Sequence, residues 1–428
     1  MIRIILIRHG RTAWNVEGGS ERFRGLTDLP LAEEGITQAQ ITAHRLAHTP
    51  LTAIYSSPLQ RALRTAQLIA EPHGLDVHPL PGLGSMNYGD WAGQRHSDVV
   101  ARWPELYRQW RQNPFSVRIP GGESAADLRD RAIAAVRDAL SRHVDGATIV
   151  LISHQVVTRT LACALAGLPD ASYWRVHQDL CNLSRFDYDP AKKVFVVVGL
   201  NDICHLHPTF PYGTGRGLRI ILIRHGQTAW NTPSGIAGAE GSGEERFRGR
   251  TDLPLDDLGH LQARLVAERL KGEPFTALYA SPLLRARQTL APLAETLNLP
   301  IQSHDGLLDI HYGDFQGLSH TEASAAYPEL YALWRSSPGQ VRFPGGESLA
   351  EVQARLHALL NELTARHPGG TVALVGHQIV NKVLACTLLG LDLNQIWRVR
   401  MDTAGVSVFE QADGVWHTLC LNDTCHLA

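Results

Sequence analysis

Short apolar runs alternate along this chain with longer stretches of helical periodicity. RIILI (3–7), TAIYS (52–56) and TIVLIS (148–153) are too short for helices and rich in β-branched residues, so each is expected to be a strand. Between the first two, the run from Glu33 to His48 spaces its apolar residues by three and four, the period of an amphipathic helix. Ser57-Pro58 has the form of an N-cap followed by a proline at the first helical position. Ser124-x-x-Asp127 and Ser348-x-x-Glu351 read as capping boxes that open later helices. FDYDPAKKVFVVV (186–198) reads as a hairpin. Strands alternating with helices predict an α/β fold with a mostly parallel sheet flanked by helices.

The whole pattern occurs twice. IILIRHGRTAWN (4–15) returns as IILIRHGQTAWN (220–231), and RFRGLTDLPL (22–31) as RFRGRTDLPL (246–255). YSSPLQRALRTAQ pairs with YASPLLRARQTLA, ISHQVV with VGHQIV, and LNDICHL with LNDTCHL. PGGES stands in both copies. A length of 428 residues suits two such domains, expected at 1–206 and 218–428. The Pro- and Gly-rich segment HPTFPYGTGRG (207–217) is read as the linker, and the insert TPSGIAGAEGSG (232–243) as a lengthened loop of the second copy.

Composition narrows the partners. A net charge of −2 offers no surface for a polyanion, so no nucleic acid is expected. No run is long and apolar enough for a membrane span, and the N-terminus does not resemble a signal peptide; no membrane partner and a cytoplasmic location are expected. Six scattered cysteines in a chain of this length read as reduced thiols. His44 and His48 lie four apart on a helix, but the second copy has Glu268 and Gly272 there, so they are read as surface residues and no metal site is expected.

In open α/β sheets ligands bind beyond the carboxyl ends of the strands. There the first strand ends on Arg8-His9-Gly10, the strand TIVLIS runs into His154, and the helix after TAIYS carries Arg61. The second copy places Arg224, His225, Gly226, His377 and Arg285 alike. Gly10 is expected to let the backbone turn so that Arg8 and His9 face one pocket. Two arginines, two histidines and a helix N-terminus on one rim suit a dianion such as phosphate.

RHGxTxxN, SPLxRA, the late strand-end histidine and NDxCHL, in that order and twice, resemble the histidine phosphatase superfamily in its phosphoglycerate-mutase-like branch. The resemblance implies two tandem phosphoglycerate-mutase-like domains that hydrolyse phosphomonoesters of small metabolites without a cofactor. His225 or His9 would become phosphohistidine. Arg224, Arg285 and His377, or Arg8, Arg61 and His154, would hold the phosphoryl oxygens. Thr12, Asn15, Thr228, Asn231, Arg248 and Glu347 would add contacts to the substrate. The family's proton donor falls on Asp309 in LLDIHYGDFQG (307–317) but on Ser85 in LGSMNYGDWAG (83–93), so the second copy is expected to be the main active site.

The alternatives are a phosphoglycerate-type mutase, disfavoured because GHQIV and SHQVV stand where mutases have a GHGNS-like segment, and a first copy that only binds a phosphorylated ligand or partner. The short linker leads to the expectation of an intramolecular pseudo-dimer of the two copies. Small-angle scattering should then show one particle of fixed dimensions; two lobes at variable separation would refute it.

Overall fold

The computed structural model describes residues 1–15, 22–207, 209–210, 215, 217–231 and 246–427, with Asn231 described by its backbone alone. The insert 232–243, most of the linker and the side chain of Asn231 therefore lie outside the described residues. The chain divides into two compact units, Met1–His207 and Pro208–Ala428.

In the first unit the strands are β1 (Ile2–Arg8), β2 (Ala53–Ser56), β3 (Val77–Pro79), β4 (Thr148–Ser153), β5 (Leu183–Asp189) and β6 (Val194–Asp202). Its helices are α1 (Glu33–Leu46), α2 (Gln60–Ala70), α3 (His96–Arg102), α4 (Pro104–Gln112), α5 (Ala125–Ser141) and α6 (Gln155–Ala166). The strands lie in the order β3-β2-β4-β1-β5-β6. The first four are parallel, and β5 and β6 form the expected antiparallel hairpin. Residues Ile5, Ile7, Val150 and Ile152 are fully or almost fully buried, packing against Ala62, Ala66 and Ile69 of α2. Strands covered on both faces explain why these runs are continuously apolar rather than alternating.

The second unit repeats this order with β7 (Arg219–Arg224), β8 (Phe275–Ala280), β9 (Ile301–Ser303), β10 (Thr371–Gly376), β11 (Val406–Ala412) and β12 (Val415–Asp423). Its helices are α7 (Asp257–Leu270), α8 (Leu284–Leu297), α9 (His320–Ala326), α10 (Pro328–Ser336), α11 (Leu349–Arg366) and α12 (Gln378–Leu389). Phe210, inside the segment read as linker, packs into this unit's core beneath the Arg269 guanidinium.

Both capping boxes form, at Ser124/Asp127 and Ser348/Glu351. The Ser57-Pro58 cap does not. Helix α2 starts two residues later at Gln60, whose N–H is received by Asp28 Oδ1 at 2.8 Å. Leu284 uses Asp252 in the same way. The aspartate of TDLP therefore caps from a distance, while Ser57 Oγ receives the N–H of Leu59 at 3.3 Å. His44 and His48 are exposed, as expected. All six cysteines are free thiols. Among the described residues no helix is long and apolar enough to cross a membrane.

One ion pair separates the units energetically. Arg219 bonds Glu273 at 2.6 Å with both side chains buried, whereas the corresponding Arg3 reaches Asp187 at 3.1 Å from a half-exposed position. Removing one partner of a buried pair strands a charge; a surface pair is worth little. Glu273→Ala should lower the unfolding free energy of the second unit by about 3 kcal/mol. Asp187→Ala should cost the first unit under about 1 kcal/mol. Chemical-denaturant melts of the full chain test both values, and equal effects would contradict the assignment.

Candidate active site

Strand register builds the site. Strand β1 pairs in parallel with β4 so that Arg8 stands beside Ser153, and β7 pairs with β10 so that Arg224 stands beside Gly376. The next residues, His9 with His154 and His225 with His377, therefore leave the sheet side by side. Their ring centroids are 5.2 Å apart in the first copy and 5.3 Å in the second. His154 and His377 are also the N-cap residues of α6 and α12, where the helix macrodipole favours an anion.

Gly10 serves a purpose other than the expected turn. A Cβ there would lie 2.4 Å from the carbonyl oxygen of Gly35, so the glycine permits close packing against the start of α1. Gly226 has the same relation to Gly259, at 2.7 Å. The amide of Gly226 is received by Thr289 Oγ1 at 2.9 Å, which secures the backbone after the histidine.

The hydrogen bonds specify the tautomers. His225 Nδ1 lies 2.6 Å from the carbonyl oxygen of its neighbour Gly226, and His9 Nδ1 lies 2.7 Å from that of Gly10. A carbonyl only accepts, so Nδ1 carries the proton and Nε2 keeps a lone pair. Burial, then the charges of Arg285 and Arg224, hold His225 well below the ordinary imidazole range. Burial, Arg61 and Arg8 do the same to His9. Each ring is a neutral imidazole beside cations.

The partner histidine has the opposite tautomer. Arg285 Nε donates to His377 Nδ1 at 3.2 Å, so the neutral ring bears its proton on Nε2. That buried nitrogen has no hydrogen-bond partner among the described residues. It is a donor available to a phosphoryl oxygen. In the first copy Arg61 Nε holds His154 Nδ1 at the same 3.2 Å, but His154 Nε2 is 2.8 Å from Ser57 Oγ and donates there.

Arg61 and Arg285 are not exposed helix charges. Both guanidiniums are buried, each donating to two carbonyls of the RFRG loop: Gly25 and Thr27, or Gly249 and Thr251. Burial lowers each to about 10, which still leaves it charged at neutral pH. Arg8 and Arg224 are buried too, donating to the carbonyls of Gln178 and Met401.

Asp309 completes the second site. It is buried, with Oδ2 3.5 Å from Arg285 Nη2 and 4.0 Å from His377 Nδ1. Burial raises its carboxyl above the usual range although Arg285 and Arg248 oppose the shift. The long contact to Arg285 explains why desolvation prevails. Ser85 is buried at the corresponding place, and among the described residues no carboxylate lies within ion-pair distance of Arg61 or His154. Glu123 is bidentate on Arg131, and Asp90 is exposed.

The other expected contacts divide. Arg248 is buried and lines a cavity of about 210 Å³ with Asp309, Tyr312, Trp334 and Trp397. Thr12 and Thr228 are buried. Asn15 Oδ1 receives the N–H and hydroxyl of Thr12, so that oxygen shapes its own loop. Glu347 is held by the amide of His311 and by Arg250 and Arg355. Ser57 was read in the sequence only as a helix cap, and Thr289 and Arg250 drew no attention there; only the difference between Leu26 and Arg250 marked the last.

A family model described as the histidine phosphatase superfamily (branch 1) matches residues 4–202 and again 220–424. Phosphoserine phosphatase 1 of Hydrogenobacter thermophilus is 36% identical over 210 residues, 49% of this chain and 94% of that protein. The 2-carboxy-D-arabinitol-1-phosphatase of Triticum aestivum is 25% identical over 99% of this chain and 86% of its own length. A probable phosphoglycerate mutase GpmB of Yersinia pestis is 32% identical over 48% of this chain and 95% of that protein.

The depressed imidazoles have a definite sign. Below about 6.5 the unfolded rings take up protons while the folded rings do not. The stability they contribute is fully present above that pH and is lost as pH falls toward the folded values. At pH 6 the nucleophile should therefore remain neutral. Nitrogen-15 NMR of histidine-labelled, ligand-free protein should show His9 and His225 with a proton on Nδ1 only; doubly protonated rings at that pH would contradict the tautomer assignment.

Proposed function

The chain belongs to the histidine phosphatase superfamily, twice over, and from that premise we propose a phosphomonoester hydrolase working through phosphohistidine, with the second copy as its main active site. The observation that carries this reading is the neutral His225, with its free lone pair on Nε2, beside buried arginines and a buried, protonatable Asp309.

Binding uses Arg224, Arg285, the Nε2–H of His377 and the amino end of α12. These groups supply the positive charge that phosphoryl transfer requires, and their burial strengthens each interaction. His225 Nε2 attacks phosphorus as the bond to the ester oxygen breaks, and the Asp309 carboxyl gives its proton to the departing oxygen. Water then attacks the phosphohistidine, passing a proton to Asp309 as the P–N bond breaks. Phosphate leaves and both side chains are restored. An acid raised by burial suits the first step, because the carboxyl must hold its proton near neutral pH.

The substrate is a small phosphorylated metabolite. The cavity of about 210 Å³ beside Asp309 supports a compact leaving group, as do relatives named for phosphoserine and for 2-carboxy-D-arabinitol 1-phosphate. The first copy keeps the anion-holding side chains without the acid. A serine hydroxyl cannot protonate an alkoxide near neutrality, so this copy is left with binding a phosphorylated ligand or cleaving esters whose alcohol leaves unaided.

Rapid quench with labelled substrate should trap an acid-labile, base-stable phosphoryl group that is absent from His225→Ala. Asp309→Ala should slow an alkyl phosphate by about 10²- to 10⁴-fold and p-nitrophenyl phosphate far less, since nitrophenolate needs no proton. Alkyl phosphatase activity that survives His225→Ala but disappears in His9→Ala would place the enzyme in the first copy and overturn this assignment.

A further inference from the structure

The two copies differ at more than the acid. Asp309, Arg250 and Gln316 stand where the first copy has Ser85, Leu26 and Ala92, and in the second copy Arg250 bonds both of the others. The amide of Arg250 donates to Gln316 Oε1 at 3.1 Å. Its guanidinium reaches the backbone carbonyl of Asp309, Nε to O, at 3.5 Å and forms an ion pair with Glu347 Oε1 at 3.1 Å. Glu347 in turn receives the amide of His311, two residues beyond the acid, at 2.9 Å. The acid's own segment is thus held at the carbonyl of Asp309 and two residues beyond it.

In the first copy the same elements are connected differently. Leu26 is half exposed and makes no such bridge. Arg131 is bidentate on Glu123 and donates to the carbonyls of Gly82, Gly84 and Ser85, and Glu123 receives the amide of Asn87 at 2.8 Å, as Glu347 receives that of His311. Its counterpart Arg355 keeps only the bond to the Gly306 carbonyl and longer contacts to Glu347, of 3.4 and 3.5 Å. Glu347 is shared between two arginines, and the second of them, Arg250, is special to the copy that has an acid.

We propose that Arg250, Gln316 and Glu347 form a positioning clamp for the proton donor, and that the second copy's ability to cleave unactivated esters depends on this clamp as well as on Asp309. The inference rests on the reading of Asp309 as general acid. A carboxyl that must meet a departing oxygen tolerates little displacement, whereas the phosphate-holding groups are fixed by other elements. The groups facing Asp309 are the charged Arg285 from α8, Arg248 from the RFRG loop and Arg355 from α11, and the neutral His377 at the start of α12. Within the clamp the charge of Glu347 offsets that of Arg250, so that it adds little net positive charge that would favour loss of the acid's proton.

The test uses the full chain with glycerol 2-phosphate and p-nitrophenyl phosphate. Wild type and His225→Ala come first: if wild type cleaves neither ester, or His225→Ala keeps the alkyl activity, the functional reading itself is at fault. Arg250→Leu should then lower kcat for glycerol 2-phosphate by about 10- to 100-fold, with KM little changed. Turnover of p-nitrophenyl phosphate, which also reports folding, should stay within about twofold. Equal losses on both esters, or no loss on either, overturn the clamp. In a His225→Ala background, Ser85→Asp with Leu26→Arg and Ala92→Gln should exceed Ser85→Asp alone on the alkyl ester by about tenfold. A triple variant no better than the single one also overturns it.

Discussion

A guanidinium with almost no access to water organises each copy. Arg285 has almost no exposure, and its five N–H groups cannot be left unpaired without a cost of several kcal/mol, roughly that of breaking a buried charge network. It satisfies them by drawing in the carbonyls of Gly249 and Thr251, the Nδ1 lone pair of His377 and, more loosely, Asp309. One side chain on α8 therefore connects the RFRG loop, the entrance to α12 and the acid segment. It also determines what His377 does. By donating to Nδ1 it leaves the proton on Nε2, so the ring can only donate to whatever anion arrives.

The second constraint is strand register. Parallel pairing of β7 with β10 brings His225 beside His377 because Arg224 and Gly376 are partners. A slip of one residue would turn every side chain of the strand to its other face, so that residues fitted to one buried layer would meet the other. The apolar runs that make the core thus also align the two histidines. Packing energy maintains the catalytic geometry without any contact between the core and the reacting atoms.

Much of this was legible in the sequence, for a reason that applies equally to its failures. Residues whose role is tied to a strand end or to a repeated motif, such as His225, His377 and Arg285, announce themselves because period and position follow from local backbone geometry. Asp28 was missed as the cap of α2 because its partner Gln60 is distant in sequence, and Ser57-Pro58 offered a local alternative. Gly10 was credited with a turn, whereas its need is close approach to Gly35, a tertiary fact. The burial of Arg248 and the grip of Arg250 on Glu347 depend on how loops meet, which periodicity does not encode. Copy-to-copy comparison partly compensates: the change from Leu26 to Arg250 is visible without a structure, although its meaning is not.

The same energetics explain how the first copy can carry Ser85 in place of Asp309 and keep everything around it. Arg61 is bound to Gly25, Thr27 and His154, so replacing it would leave buried carbonyls and an imidazole unsatisfied. His154 bridges Arg61 and Ser57, and His9 is bonded to the backbone that follows it. These residues stabilise the fold whether or not any phosphoryl group passes between them. The side chain at position 85 belongs to no such network, since its loop is secured through backbone carbonyls by Arg131. A serine there costs the fold little. Retention of Arg61, His154 and His9 in the first copy is therefore accounted for by the fold and is in itself no measure of catalysis.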